Sequence, residues 1–187
     1  MRGYAVIDIE TTGFSFRRGH RIVEIGVVEL SPDGELEGSW GTLINPQRHI
    51  EATEIHGISA SDVLGAPTFD QVADKLASSL EDRIFVAHNA GFDRAFIQAE
   101  LTDCGAYSGD DLLTVDTLVL AREFLGRLNR GSRIAAATWE STTNWRTRRL
   151  RMQWLQRSFS SISCIILLRC VSDTCKSGWP INRSLLG

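Results

Sequence analysis

The sequence predicts an α/β protein in which a mixed β-sheet is flanked by helices. Two observations predict this class: three strand candidates come first, and helical and strand patterns then alternate. Charge divides the chain, because residues 1–128 hold 21 acidic and 10 basic side chains (−11), whereas residues 129–187 hold 2 acidic and 10 basic ones (+8). We therefore expect one folded domain at 1–128 and an atypical basic tail at 129–187.

The first three strand candidates follow one another closely. They are "YAVIDIE", "RIVEIGVVEL" and "LEGSWGTLINP", all rich in residues that favour strands. The second and third are separated by "SPDGE", in which Pro32 and the Asp33–Gly34 pair are strong turn formers. Three strands in succession predict an antiparallel meander.

The pattern then changes to a helical period. "TFDQVADKLASSL" places four apolar residues on one helical face, and Thr68 with Gln71 makes a capping box. "RIFVAH" and "LLTV" predict a fourth and a fifth strand, with the helix "AGFDRAFIQAEL" between them. Asp116 is the expected N-cap of a further helix, "DTLVLAREFLGRL".

No segment predicts contact with a membrane. The chain reaches Asp8 and Glu10 before any apolar stretch long enough for a signal peptide, and "ISCIILL" is too short to span a bilayer. We expect a cytoplasmic protein.

Asp8 and Glu10 lie two residues apart on a predicted strand, so both carboxylates leave the same face of the sheet. Two like charges in close proximity are costly unless a cation lies between them, and Mg²⁺ prefers carboxylate oxygens. The alternative is a solvated strand end at which both acids face water. The pair alone leaves both interpretations open.

Two longer motifs distinguish these interpretations. "TTG" follows the acids and offers a tight turn whose backbone amides can approach a nucleotide. "VIDIETTG" resembles the first motif of the DEDD exonuclease superfamily, and "VAHNAGFD" resembles its second motif, which ends here in Asp93. "EIHGIS" is similar to a segment of the superfamily's histidine branch, which includes the proofreading epsilon subunits of bacterial DNA polymerase III.

The resemblance implies a ribonuclease H-like five-stranded sheet and a metal-dependent 3'-to-5' exonuclease acting on single-stranded nucleic-acid 3' ends, with a DNA polymerase subunit as possible partner. It implies two Mg²⁺ or Mn²⁺ ions at the scissile phosphate. The catalytic residues and metal ligands implied are Asp8, Glu10 and Asp93. The substrate-binding residues implied are Thr11, Thr12, Gly13 and His56.

Three residues near these motifs also have structural interpretations. His56 alone is typical of a surface or helix-capping histidine, although the neighbouring motifs favour a role on the substrate side. We expect His88 to orient the turn between strand and helix, and Asp116 to act as a helix cap rather than a metal ligand.

The superfamily's third motif, HxAxxDA, would supply a fourth carboxylate and the histidine that acts as general base. Residues 129–187 contain no histidine, and their only acids are Glu140 and Asp173. Three explanations compete: a pseudoenzyme, a basic arm for nucleic-acid binding, or translation in the wrong reading frame after about residue 128.

Some codons are nearly fixed by their residues and allow the third explanation to be examined. If codons began at the third base of each present codon, Met152–Gln153 would encode alanine without choice. The Arg151–Met152 boundary permits aspartate before it, and the Arg146–Thr147 boundary permits histidine five positions earlier. This is the spacing of HxAxxDA, and we favour the reading-frame explanation.

Three functional hypotheses follow. The first is an epsilon-like exonuclease domain whose activity is impaired in this chain. The second is a related RNA 3' exonuclease, which would use the same carboxylates. The third is a non-catalytic nucleic-acid-binding module in which the basic tail contacts phosphates.

Overall fold

The structure is a computed structural model that describes residues 3–106, 112–120 and 122. Within these residues the sheet has five strands in the order β3-β2-β1-β4-β5. The strands are β1 (Gly3–Thr11), β2 (Ile22–Leu30), β3 (Leu36–Leu43), β4 (Arg83–Ala87) and β5 (Thr114–Asp116). The helices are α1 (Thr53–His56), α2 (Ala60–Val63), α3 (Phe69–Leu80) and α4 (Ala90–Asp103), with a 3-10 turn at Phe16–Arg18.

The pairing of the strands confirms the predicted mixed sheet. β1, β2 and β3 pair antiparallel as a meander, whereas β4 pairs with β1, and β5 with β4, in parallel. The "SPDGE" turn closes the meander, with Gly34 at φ 84° and its amide donating to the Ser31 carbonyl at 2.9 Å. The parallel pairs need crossover connections, and α3 and α4 supply them.

The two faces of the sheet carry separate apolar clusters. α3 and α4 cover one face, where Leu76, Phe85 and Phe96 are at most 1% exposed. Tyr4, Val6 and other side chains form the cluster on the opposite face, together with Leu120. Because side chains alternate along β1, Asp8 and Glu10 share a face with Tyr4 and Val6. The two acids therefore continue an apolar row toward the carboxyl end of the strand.

The helix boundaries confirm the predicted caps. Thr68 precedes α3, and both halves of its capping box with Gln71 are formed. Asp116 precedes a helix that begins at Thr117, and its carboxylate accepts a hydrogen bond from the Leu118 amide at 2.8 Å. Most of the predicted 116–128 helix lies outside the described residues. The short helices α1 and α2 were not predicted, because four residues show no helical period.

α4 is joined to the start of β2 by an ion pair between the buried Glu100 and the partly exposed Arg21. Glu100 is 3% exposed and accepts hydrogen bonds from the Arg21 Nε at 2.9 Å and the Ile22 amide at 3.1 Å. Burial raises the pKa of Glu100, and these hydrogen bonds and the Arg21 charge partly offset that rise.

In the part of the chain that the structure describes, no helix is long and apolar enough to cross a bilayer.

Candidate active site

The acids of β1 lie where the strand approaches its carboxyl end. Asp8 and Glu10 are each partly exposed, between buried neighbours. In the antiparallel register Asp8 lies opposite Gly26, and Glu10 lies opposite Glu24 on β2. Directly opposed residues on neighbouring strands project from the same face, so Glu24 adds a further carboxylate to this region. Glu24 was not predicted as a site residue, although an acidic residue within the apolar run "RIVEIGVVEL" indicates a possible site.

Asp93 reaches the same region from α4. It lies in the first turn of that helix, is 6% exposed, and accepts a hydrogen bond from the Ile9 amide through Oδ1 at 3.2 Å. Ile9 is the residue between Asp8 and Glu10. The structure therefore brings together the three carboxylates that the two motifs predict, although Asp93 lies 83 residues after Glu10 in the sequence.

The electrostatics of Asp93 are those of a crowded, desolvated acid. Its pKa is raised from 3.8 to about 8, chiefly by burial, then by the charge of Asp8 and, to a smaller extent, that of Glu10. Hydrogen bonds from the Ile9 amide and its own backbone amide lower the pKa but do not cancel the effect. This shift favours the protonated form of Asp93 at neutral pH.

The donor chemistry of this cluster fits a hard divalent cation, because carboxylate oxygens are the ligands that Mg²⁺ and Mn²⁺ prefer. A cation would also replace the proton that the crowded acids retain. Within residues 3–106 and 112–120, however, no three His, Cys, Asp or Glu side chains are already arranged as a metal site. The side chains would have to reorient around the ion, starting with the Asp93 oxygen that contacts Ile9.

The turn after β1 is held by its own threonines. Thr11 Oγ1 donates to the Gly13 carbonyl at 2.7 Å, and Thr12 Oγ1 accepts from the Arg21 amide at 3.0 Å. Both threonines are buried, and Thr12 is fully inaccessible. Their side chains therefore form the turn, and substrate contacts from these positions would be made by the backbone.

Gly13 is required by packing as well as by any approach of substrate. A Cβ placed on Gly13 would lie 2.5–2.8 Å from three atoms of the His20 imidazole. The same ring contacts Thr12, with its Nδ1 at 3.1 Å from Thr12 Oγ1. The sequence analysis did not identify His20, because nothing in its sequence neighbourhood indicates that it folds back onto the turn.

His56 is the last residue of α1, and its Nδ1 accepts a hydrogen bond from the Ile58 amide at 3.0 Å. Gly57 follows in the left-handed conformation, φ 75°, and Ile58 is fully buried. This hydrogen bond matches the helix-capping interpretation of His56. A role on the substrate side stays a prediction.

Asp116 caps two helices. Besides its bond to Leu118, its carboxylate accepts hydrogen bonds from the Asn89 amide at 3.1 Å and the Ala90 amide at 3.0 Å, at the start of α4. The expected structural role of Asp116 is thereby confirmed. His88 Nδ1 lies 3.1 Å from Thr117 Oγ1, which fits the expected role in orienting this turn.

Phe14 is a third residue in this region that the motifs did not single out. It follows the "TTG" turn and is 77% exposed, although it is aromatic.

The segment expected to carry the third motif lies outside the described residues.

We predict that Gly13→Ala destabilises the protein by about 1–3 kcal/mol, because the added methyl group overpacks the contact with His20. Chemical denaturation measures the change. Gly91→Ala is the matched control, since a Cβ there meets nothing within 4 Å. The effect should shrink when His20→Ala is combined with Gly13→Ala; a full additive loss would show that His20 is not the cause.

We predict that Asp93→Asn stabilises the metal-free protein at pH 8. The pKa of Asp93 in the folded state exceeds the ordinary value of 3.8, so unfolding releases a proton and stability falls as pH rises from about 4 to about 8. Asparagine retains the acceptor for Ile9 but does not titrate. The gain at pH 8 should exceed ~1 kcal/mol, the equivalent of one pKa unit, and should vanish near pH 4. Equal pH slopes for both proteins in thermal unfolding with a chelator would contradict this assignment.

Comparison with known proteins agrees with the motifs. Two curated relatives are the DNA polymerase III subunit epsilon of Rickettsia conorii, 39% identical over 124 residues, and the 3'-5' exonuclease DinG of Bacillus subtilis, 35% identical over 121 residues. The alignments cover 63% and 64% of this chain, and 53% and 13% of the respective relatives. The chain thus spans about half of the epsilon subunit and a small part of DinG.

A solved structure of exonuclease X in complex with 5' overhanging duplex DNA matches 98% of this chain and 96% of its own, with a TM-score of 0.55 and 24% identity. This likeness confirms the ribonuclease H-like fold. A model of the exonuclease family RNase_T matches residues 5–142, beyond the boundary expected at 128. Members of this family are generally dependent on divalent metal ions. The chain belongs to the RNase_T exonuclease family of the DEDD superfamily.

Proposed function

We propose that this chain is a metal-dependent 3'-to-5' exonuclease domain of the DNA polymerase III epsilon type, which hydrolyses nucleotides from nucleic-acid 3' ends. One observation carries the proposal: the buried Asp93 carboxylate lies against the β1 backbone between Asp8 and Glu10. Such a cluster, with a raised pKa at its centre, is typical of a functional site rather than of a structural ion pair.

In the proposed site Asp8, Glu10 and Asp93 bind the divalent ions, Mg²⁺ or Mn²⁺. When bound, these ions activate a water molecule and stabilise the leaving oxygen of the phosphodiester. The protein's own contribution is to hold three acids on two rigid elements, a central strand and the first turn of α4. A solvated strand end, the alternative for Asp8 and Glu10, does not explain why the buried Asp93 carboxylate, 6% exposed, lies beside them.

The "TTG" turn and α1 form the proposed wall of the site that would bind the 3' end of the nucleic acid. In this proposal the backbone groups of Thr11, Thr12 and Gly13, which follow the acids in sequence, contact the substrate. His56, at the end of α1, contacts it from the neighbouring segment. The exposed Phe14 offers a flat apolar surface on which a base can stack. Stacking does not distinguish DNA from RNA, so an RNA 3' end is the alternative substrate.

Charge supports a strand end over duplex as the substrate. Residues 1–128 carry a formal charge of −11, which repels a phosphate backbone. Metal ions at the site and a polymerase partner would supply the affinity that the domain surface does not. We propose such a partnership, in the cytoplasm, by analogy with the epsilon subunits.

We further propose that the activity of this chain is impaired, because residues 129–187 contain no histidine and no HxAxxDA motif. A shifted reading frame after about residue 128 accounts for that loss. The +8 charge of residues 129–187 favours one second candidate, a non-catalytic module that binds phosphates through its tail. That candidate predicts affinity that falls steeply with salt and is lost when the tail is removed.

The test compares two purified proteins on 5'-labelled single-stranded DNA with Mg²⁺ or Mn²⁺. One is the 187-residue chain, and the other is encoded by the same gene with one base inserted or deleted near codon 128 so that the third motif is restored. We expect the restored protein to shorten DNA from its 3' end, and the present chain to be slower by more than ~10- to 100-fold.

Asp8→Ala in the restored protein is the control for contaminating nuclease and should abolish the shortening. An inactive restored protein, or one that Asp8→Ala leaves active, would refute the proposed exonuclease site. Normal turnover by the present chain would refute the proposed impairment. The same assay on RNA of equal sequence identifies the preferred substrate.

A further inference from the structure

Two surface segments meet beside the proposed site. The first is the connection from β1 to β2, residues 12–21, which contains the "TTG" turn and His20. The second is residues 44–52, which lead from β3 into α1 and hence to His56. The Glu51 amide donates to the Thr12 carbonyl at 3.2 Å, so the two segments share a backbone hydrogen bond.

Side chains close a ring around this contact. Arg48 donates to Glu51 Oε1 at 3.1 Å and to the carbonyl of Gly19. Glu51 Oε2 lies 3.9 Å from His20 Nε2, and His20 Nδ1 lies 3.1 Å from Thr12 Oγ1. We call this ring, formed by Thr12, Gly19, His20, Arg48 and Glu51, the turn clamp.

The hydrogen bonds of Thr12 are compatible with one tautomer of the His20 imidazole. Thr12 Oγ1 already accepts from the Arg21 amide, so its hydroxyl hydrogen is available to donate to His20 Nδ1. Such a bond requires the tautomer that carries its proton on Nε2, the ring nitrogen that faces the Glu51 carboxylate. The His20 side chain is only 11% exposed and fills the space above Gly13. It therefore connects a buried turn to a charged surface pair.

We propose that His20 is a positioning residue, which acts through the turn clamp to hold the "TTG" turn and the α1 segment as one wall for the nucleic-acid 3' end. The inference rests on the proposed function, since it assigns a role to the wall of that site. His20 touches neither the acids nor the substrate in this account. Its effect is on binding, through the backbone of Thr12 and Gly13.

The first readout needs no substrate. Hydrogen–deuterium exchange of the full chain should show faster exchange in both segments, 11–14 and 48–52, for His20→Ala and for Glu51→Gln. His49→Ala is the matched control, because His49 is exposed in the same segment and outside the clamp. Unchanged exchange in both clamp variants, or a change confined to one segment, would overturn the coupling.

The second readout is the binding of a fluorescent single-stranded DNA with a free 3' end, in the presence of Mn²⁺. His20→Ala should weaken binding about three- to tenfold, as expected for one lost hydrogen bond, while His49→Ala has no effect. His20→Asn should recover much of the affinity, since its amide reaches the position of Nδ1 and can bond to Thr12. Recovery by asparagine separates positioning from mere loss of packing.

The outcomes distinguish the two proposals. Equal affinity of His20→Ala and the unaltered chain would overturn the role of His20 and leave the proposed function intact. Failure of the unaltered chain to bind the strand, or binding that Asp8→Ala does not weaken, would overturn the proposed site and this inference with it. If His20→Ala does not fold, Glu51→Gln gives the same two readouts, because residue 51 is largely exposed.

Discussion

The hydrogen bond from the Ile9 amide to the Asp93 carboxylate, at 3.2 Å, fixes α4 against the central strand. The other half of α4 is fixed by Glu100, which accepts from the Ile22 amide on β2. Between these two points Phe96 and Ile97 are buried in the core of the sheet. The helix thus has one position along the strands, and that position places Asp93 beside Asp8 and Glu10.

Burying Asp93 beside two other acids costs electrostatic free energy, which the burial of the apolar core offsets. Asp93 is buried beside two other acids, and its raised pKa measures the unfavourable environment of the charged form. Natural proteins retain such groups where function needs them, and substitution by a neutral isostere then tends to increase stability. A divalent ion would remove the conflict, because its positive charge would compensate the charge of the carboxylates around it. The electrostatic cost and the proposed metal site are therefore two aspects of one geometry.

Sequence patterns predicted most of the domain. The five strands, α3, α4 and the Thr68 capping box follow from periodicity and turn chemistry, and the three acids follow from two motifs. The short helices and the turn clamp could not be predicted in this way. α1 and α2 are too short to show a period and are held by contacts of Ile50, Ile58 and Val63 with Val23 on β2. His20 acquires its role only when the chain folds back over Gly13, which no local pattern encodes.

Calorimetric titration of the full chain with Mg²⁺ near pH 7, in buffers of different ionisation enthalpy, tests the central claim most directly. The account predicts a binding heat that depends on the buffer and corresponds to the release of about one proton, because the ion displaces the proton held on Asp93. A binding heat that is independent of the buffer, or the same heat from Asp93→Asn, would contradict the claim that these three carboxylates form the metal site.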